Sequence, residues 1–229
     1  VEDANGNKYT ETKNEYDGYY LTANGDKYTF AKQEKLCSDR ASAFVPLRYT
    51  ANRQYEGKTS GITTSEAWNE YYLDGYHGEL KSYKFSDKGR LGENGSGSFD
   101  YQTAIQYASN DAKHIFGLPV DVTVTGGDGK TYHHVSAKYD MNYADHPTQI
   151  RQQLGGGEAV SDYVYDAYGN ITKTTLPANG KGQRMWYSYR YEPVMNMYVE
   201  RVDDAFGYRS EASNFDYRYG MALQRRDLN

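Results

Sequence analysis

The chain has 229 residues, of which 26 are Tyr, 23 are Gly and only one is Cys, with 38% hydrophobic residues and a formal net charge of -5. Scattered Lys and Arg under a negative balance exclude a phosphate-backbone partner, so no nucleic acid is expected despite the many aromatics. The lone Cys37 excludes an internal disulfide framework, and no run approaches the roughly 18–20 apolar residues that span a bilayer, so no membrane insertion by this segment is expected.

A mean hydropathy of -0.94 makes long aliphatic helices unlike this composition and leaves aromatic rings as the main core material. A chain of this length is expected to form one domain, to bury roughly 70% of its unfolded surface, and to need neither metal nor disulfide to fold.

Residues 1–30 read as short strands around the turns Asn5-Gly6-Asn7, Asp17-Gly18 and Asn24-Gly25-Asp26. Residues 31–61 give no regular pattern apart from the apolar run Ala43-Phe44-Val45-Pro46-Leu47, whose proline marks a strand end or an edge. Ser65 to Tyr72 carries a candidate helix cap at Ser65, but Tyr71, Tyr72 and the following Asp74-Gly75 favour a strand entering a turn. Gly92 to Ser98 is rich in Gly and Ser and reads as an exposed, flexible loop, the candidate internal break of the domain.

Beyond it Tyr101, Thr103, Ile105 and Tyr107 alternate with polar residues as on a strand with one wet face. Val120, Val122 and Val124 keep that period up to the turn Gly126-Gly127-Asp128-Gly129, and Thr131 to Tyr139 is the return strand. Thr148 to Leu154 fits a helical turn or a strand before Gly155-Gly156-Gly157. The rhythm then becomes regular: strands at Asp162–Tyr165, Asn170–Leu176, Gln183–Tyr191, Tyr198–Asp203, Tyr208–Tyr219 and Ala222–Asp227, with a turn near Asn179-Gly180 and a break at Gly220.

One turn lettering repeats. Tyr165-Asp166-Ala167-Tyr168-Gly169-Asn170 is a strand end, a four-residue turn and a strand start, and Asp204-Ala205-Phe206-Gly207 and Asp3-Ala4-Asn5-Gly6 repeat its core. Asp at the first position accepts a hydrogen bond from the backbone two residues on, and Gly at the fourth takes the left-handed conformation that closes a type I turn with a bulge. Tyr before Asp is a good strand former with a hydroxyl that can reach a polar partner. Asp166, Gly169, Asp204 and Gly207 are therefore the residues on which the structure is expected to turn, and the expected fold class is all-β, consecutive antiparallel hairpins forming a curved sheet.

Tyr163-Val164-Tyr165-Asp166-Ala167-Tyr168-Gly169-Asn170-Ile171-Thr172 is similar to the YD-repeat, also called the RHS repeat. The stretch from Tyr198 to Tyr208, followed by Asp216-Tyr217-Arg218-Tyr219-Gly220 and Asp227-Leu228-Asn229, resembles the shell region of the B and C components of insecticidal toxin complexes. Phe116-Gly117-Leu118-Pro119-Val120 and Tyr139-Asp140 fit the same register upstream.

The resemblance implies a segment of an RHS/YD-repeat spiral shell, secreted or on a cell surface, that encloses a C-terminal toxin or effector polypeptide. Its partners would be the remainder of its own shell, the enclosed polypeptide and other toxin-complex subunits. Teneurin ectodomains use the same shell in adhesion. The self-cleaving aspartyl core of the family and any variable toxin domain are missing from these 229 residues. The chain reads as a piece of a larger protein, opening within a repeat and closing on a running strand.

Sites of chemistry find little support in the residue pattern. His133 and His134 are neighbours on a strand and point to opposite faces, which opposes a shared zinc ion; His77, His114 and His146 sit beside turns and read as solvated. Asp3-Ala4-Asn5-Gly6-Asn7 begins like a calcium loop but lacks the later bidentate Glu. No pair among the 31 acidic residues is singled out for glycoside hydrolysis, and no nucleophile elbow accompanies a serine. No catalysis, no metal and no cofactor are expected. The competing reading is a secreted or surface module that binds carbohydrate or protein through Tyr187, Tyr189 and Tyr191, or through Trp186 on the other face, although such rings ordinarily pack neighbouring hairpins.

Overall fold

The computed structural model describes residues 1–21, 27–29, 42–73, 78–141 and 146–227. The expected turns at Asn24-Gly25-Asp26 and Asp74-Gly75, together with Cys37 and His77, lie outside the described residues. Among those described, seventeen strands and one short 3-10 turn, Asp111–Lys113, form the regular structure. The expected all-β class of consecutive antiparallel hairpins is what the chain adopts.

Fourteen strands belong to one hydrogen-bonded order. They are β1 (Thr10–Tyr16), β5 (Leu47–Gln54), β6 (Ile62–Tyr71), β7 (Leu80–Ser86), β8 (Tyr101–Asn110), β9 (Ile115–Gly126), β10 (Thr131–Tyr139), β11 (Pro147–Leu154), β12 (Gly157–Tyr165), β13 (Ile171–Ala178), β14 (Arg184–Tyr191), β15 (Val199–Asp204), β16 (Arg209–Asp216) and β17 (Met221–Asp227). From β5 onward the order follows the chain, each strand pairing with the next. Ser65 to Tyr72 lies largely within β6, and Thr148 to Leu154 within β11, so both ambiguous segments are strands.

Two expectations need correction. Residues 1–30 do not continue a simple string of hairpins: β1 pairs with β5, and a separate three-stranded sheet of β2 (Tyr19–Leu21), β3 (Lys27–Thr29) and β4 (Ser42–Phe44) intervenes in the order β3-β2-β4. The strand expected from Tyr208 to Tyr219 ends at Asp216, because the Asp216 carboxylate accepts the Arg218 amide at 3.0 Å and turns the chain.

The chain forms two compact units, one of residues 1–108 with 121–134 and the other of residues 109–120 with 135–229. In the first, Tyr49, Ala51 and Leu91 are buried beside the polar Glu66, Ser82 and Ser86. In the second, Leu118 and Glu192 are the buried residues among those described.

Segment 92–98 lies inside the first unit, and Gly92, Glu93, Asn94, Ser96 and Ser98 are exposed, as the loop reading expected, while Gly95 is buried and the segment is anchored at its start. Leu91 is 0% exposed, its amide donates to Glu66 Oε2 at 2.7 Å, and Gly97 N donates to Leu91 O at 2.8 Å. A Cβ on Gly95 would lie 2.4 Å from the Trp68 ring, and one on Gly97 would lie 1.9 Å from Arg90 O. Gly95 and Gly97 permit these close approaches.

In the second unit Pro177 interrupts the ladder, since proline has no amide to donate. The β13–β14 register shifts between Thr175 and Ala178, and Arg184 spans the gap. Its guanidinium donates to Leu176 O at 2.8 Å, Val160 O at 2.6 Å and Thr175 O at 3.2 Å while pairing with Asp162 at 2.6 Å.

Leu91→Ala should destabilise the first unit by about 2–5 kcal/mol through the cavity it leaves, and should open 92–98 to limited proteolysis. Urea unfolding and a protease time course check this; an unchanged midpoint with an unchanged digest would remove Leu91 as the anchor.

Candidate functional site: tyrosine and carboxylate corners

Asp166 and Gly169 meet in one corner, between β12 and β13. Asp166 Oδ1 accepts the amides of Tyr168 and Asn170, both at 2.9 Å, Gly169 N donates to Asp166 O at 3.2 Å, and Gly169 has φ 86°. Asp204 and Gly207 repeat this between β15 and β16: Oδ1 accepts Phe206 N at 2.8 Å and Tyr208 N at 3.0 Å, with Gly207 at φ 85°. The two corners lie at opposite ends of their strands, so the four residues do not converge on one site.

Asp3 forms a third corner, accepting Asn5 N and Asn7 N at 2.9 Å with Gly6 at φ 79°. Its carboxylate is thereby used by the turn, as the hairpin reading required. A fourth copy hides behind a changed letter. Asn179 Oδ1 accepts Lys181 N at 2.9 Å and Gln183 N at 3.0 Å, and Gly182 takes φ 78°. The sequence signal for it is Asn-x-x-Gly instead of Asp-x-x-Gly, because an amide oxygen serves as well as a carboxylate in this geometry.

The tyrosine that precedes the acid has its own task, one that residue patterning did not reveal. Tyr139, Tyr165 and Tyr191 donate their hydroxyls to Pro119 O, Pro147 O and Ile171 O at 3.1, 3.0 and 3.0 Å. Tyr71 and Tyr107 do the same to Leu47 O and Leu80 O at 3.0 and 3.1 Å. Each acceptor belongs to the preceding strand. Tyr71, Tyr139, Tyr165 and Tyr191 end their strands at a register shift with the following strand, while their hydroxyls tie them to the preceding one.

The residue after the tyrosine then closes the loop. Asp140 N donates to His146 O at 3.1 Å, Asp166 N to Asn170 O at 2.9 Å and Glu192 N to Tyr198 O at 2.9 Å.

Two buried glutamates clasp longer loops. In the first unit Glu66 accepts the Tyr49 hydroxyl on Oε1 and the Leu91 and Gly92 amides on Oε2 at 2.7 and 3.3 Å. Burial and this carboxylate push the Tyr49 hydroxyl well above the usual phenol range. In the second unit Glu192 is 2% exposed and accepts Val194 N at 2.7 Å, Met195 N at 2.9 Å, Met197 N at 3.2 Å and the Tyr217 hydroxyl at 3.2 Å. Burial alone would raise its pKa, but the backbone amides of Met195, Met197 and Val194 outweigh that and bring it to about 2. The letters Tyr191-Glu192, a Tyr-acid pair one methylene longer, were the available signal.

His134 Nε2 lies 2.7 Å from Asp121 Oδ2, and no group of three metal-ligating side chains occurs among the described residues. His146 is not a solvated turn residue: its ring stacks on Tyr165 with centroids 4.6 Å apart and presses on Gly169. Trp186 lies half-buried beneath Lys173 Nζ, 5.1 Å from the ring centroid, and Tyr187, Tyr189 and Tyr191 are also half-buried, consistent with strand packing.

No protein-family model and no curated protein matches this sequence. Among solved structures, the chain is similar to a Photorhabdus luminescens Tc holotoxin pore at 11% identity, covering 90% of this chain and 11% of that one, with a TM-score of 0.35. It is similar to TcdB2-TccC3 without its hypervariable C-terminal region at 10% identity, over 99% of this chain and 12% of that one, with a TM-score of 0.38. A porin-like protein from Bacteroides uniformis matches at 12% identity over 99% of this chain and 84% of that one, with a TM-score of 0.34. The chain spans about a tenth of the length of the toxin chains it matches.

Gly207→Ala, with nothing within 4 Å of the added methyl, should cost about 1–3 kcal/mol through left-handed strain alone. Gly169→Ala should cost more, since its methyl would sit 2.8 Å from the His146 ring. Chemical denaturation of both variants tests the pair, and equal losses would remove the His146 contact from the account.

Glu192 titrates below its ordinary value of 4.5, so the stability that it contributes is complete above that value and is lost as pH falls toward about 2. Urea midpoints should drop across this window, and Glu192→Gln should flatten part of the drop. A difference between wild type and variant that stays constant with pH would rule out the carboxylate clasp.

Proposed function

We propose that this chain is a non-catalytic structural segment of a YD-repeat shell that encloses a C-terminal toxin or effector polypeptide, in a secreted or surface-displayed protein. The observation that carries the reading is the repeated corner. Tyr139-Asp140, Tyr165-Asp166 and Tyr191-Glu192 each join a hydroxyl bond to the neighbouring strand with a loop closed by the acidic residue's own amide. Such repetition spends the polar groups on holding strands in register, and the acidic side chains of the Asp-x-x-Gly corners face their own backbone amides instead of a substrate.

The mechanism is containment: a wall of hairpins keeps a tethered polypeptide from folding or escaping until release. Its partners are the remaining hairpins of the same shell, the enclosed polypeptide and further toxin-complex subunits. Half-buried strand residues and exposed large apolar side chains such as Ile62, Phe206 and Leu223 suit a segment that is covered by more of its own protein.

The test is a protease-protection assay on the full reading frame that contains this chain, with a glycan array and a polysaccharide-hydrolysis screen on the chain itself. A C-terminal tail resistant to protease until the wall is unfolded, with no saturable glycan and no turnover, is the expected result. A tail cleaved at once, or a saturable glycan, would overturn containment and favour the surface-binding module.

A further inference from the structure

Asparagine is a chemically labile side chain, and a glycine after it removes the steric guard. The glycine nitrogen attacks the carboxamide carbon, the new N–C bond closes a succinimide ring, and Nδ2 leaves as ammonia. Water then opens the ring at either carbonyl, giving aspartate or an isoaspartyl linkage in which the main chain runs through the side-chain carbon. The reaction needs a glycine nitrogen that is not engaged elsewhere and donors on the carboxamide oxygen, where negative charge develops during attack.

Among the described residues Asn5, Asn94 and Asn179 precede a glycine, and they differ in both needs. Gly6 N donates to Asp3 O at 3.0 Å, and no described residue donates to the Asn5 carboxamide oxygen. Asn94 Oδ1 accepts Ser96 N at 3.1 Å and Ser96 Oγ at 2.7 Å. Gly95 N, however, donates to Gly92 O at 3.0 Å, and Gly95 is buried against the Trp68 ring. At both sites the nucleophile is occupied.

Asn179 meets both needs. Its Oδ1 accepts Lys181 N at 2.9 Å and Gln183 N at 3.0 Å, two donors on the oxygen that gains charge. Its Nδ2, the leaving group, donates to Gln183 Oε1 at 3.1 Å. Gly180 N donates to no described residue, Gly180 is exposed, and nothing lies within 4 Å of where a Cβ would stand. Position in the turn makes the difference. Gly6 and Gly95 stand fourth in theirs, where the amide closes the bend onto the first carbonyl, whereas Gly180 stands second, outside the closing bonds.

We propose that the Asn179-Gly180 corner is a self-modification site, at which Gly180 N displaces ammonia from Asn179 and water converts the succinimide to aspartate or isoaspartate. Aspartate at this place reproduces the lettering of the Asp3, Asp166 and Asp204 corners, so that product keeps the turn and adds a negative charge. The isoaspartyl product lengthens the main chain and loosens the corner beside Pro177, where the β13–β14 register already shifts and resumes only at the Ala178 to Arg184 pairing. This chemistry depends on turn geometry and stands apart from the containment reading.

The test is incubation of the whole folded chain at mildly alkaline pH beside a sample held in urea, with ammonia release and peptide mapping that separates aspartyl from isoaspartyl products at each site. In the folded chain Asn179 should react on the order of tenfold faster than Asn5 or Asn94, and no slower than in urea, since a donor on a developing oxyanion is worth at least that factor. Gly180→Ala, for which the corner has open space, should silence the site with far-UV circular dichroism unchanged. Asn179→Asp should keep the wild-type urea midpoint. An unmodified Asn179, loss at Asn5 or Asn94 as fast or faster, or a reaction at Asn179 that is slower folded than in urea would overturn the proposal. So would a G180A chain that reacts like wild type, and a lowered midpoint in N179D would overturn the claim that the corner accepts its aspartyl product.

Discussion

A β-hairpin array is only as regular as its corners, and here the corners at Asp3, Asp166, Asn179 and Asp204 are each held by a short set of hydrogen bonds that local chain geometry dictates. A side-chain oxygen at the first turn position accepts the amides two and four residues ahead, and a left-handed glycine or its equivalent closes the bend. At Tyr139, Tyr165 and Tyr191 a tyrosine before the acidic residue also ties its strand to the preceding one through a carbonyl. These bonds satisfy groups that a register shift would otherwise leave unpaired. With few buried aliphatic side chains, the strands depend on such ties far more than on a thick core.

The same economy explains the buried glutamates. An isolated carboxylate out of water is costly, yet Glu66 and Glu192 each accept several donors, chiefly backbone amides of the loop they hold. The loops become ordered parts of the fold because their amides have a fixed acceptor. Arg184 plays the reverse part, a cation whose donors satisfy the carbonyls beside Pro177.

Much of the architecture was legible from local letters. Asp166, Gly169, Asp204 and Gly207 specify their corners because the turn needs a side-chain acceptor at one place and a positive φ at another, and both needs are written in single residues. Alternation of Val120, Val122 and Val124 gave the strand for the same reason. What stayed hidden depends on distant partners. Nothing near Leu91 says that Glu66 will receive its amide, and nothing near Gly95 says that the Trp68 ring will lie against it. The pairing of β1 with β5 is likewise a long-range choice that no local period encodes. Asn179 was half visible, masked by a substitution that leaves the geometry intact.

The segments between an acidic residue and the next strand differ in length while the frame stays constant. Three residues separate Asp166 from Asn170, and five separate Glu192 from Tyr198, yet the same amide-to-carbonyl closure joins the ends of each. Sequence at the tips is thereby uncoupled from strand registry. Such a design lets evolution exchange the outward-facing hairpin crowns piecemeal, changing what the surroundings meet while the strands beneath keep their alignment.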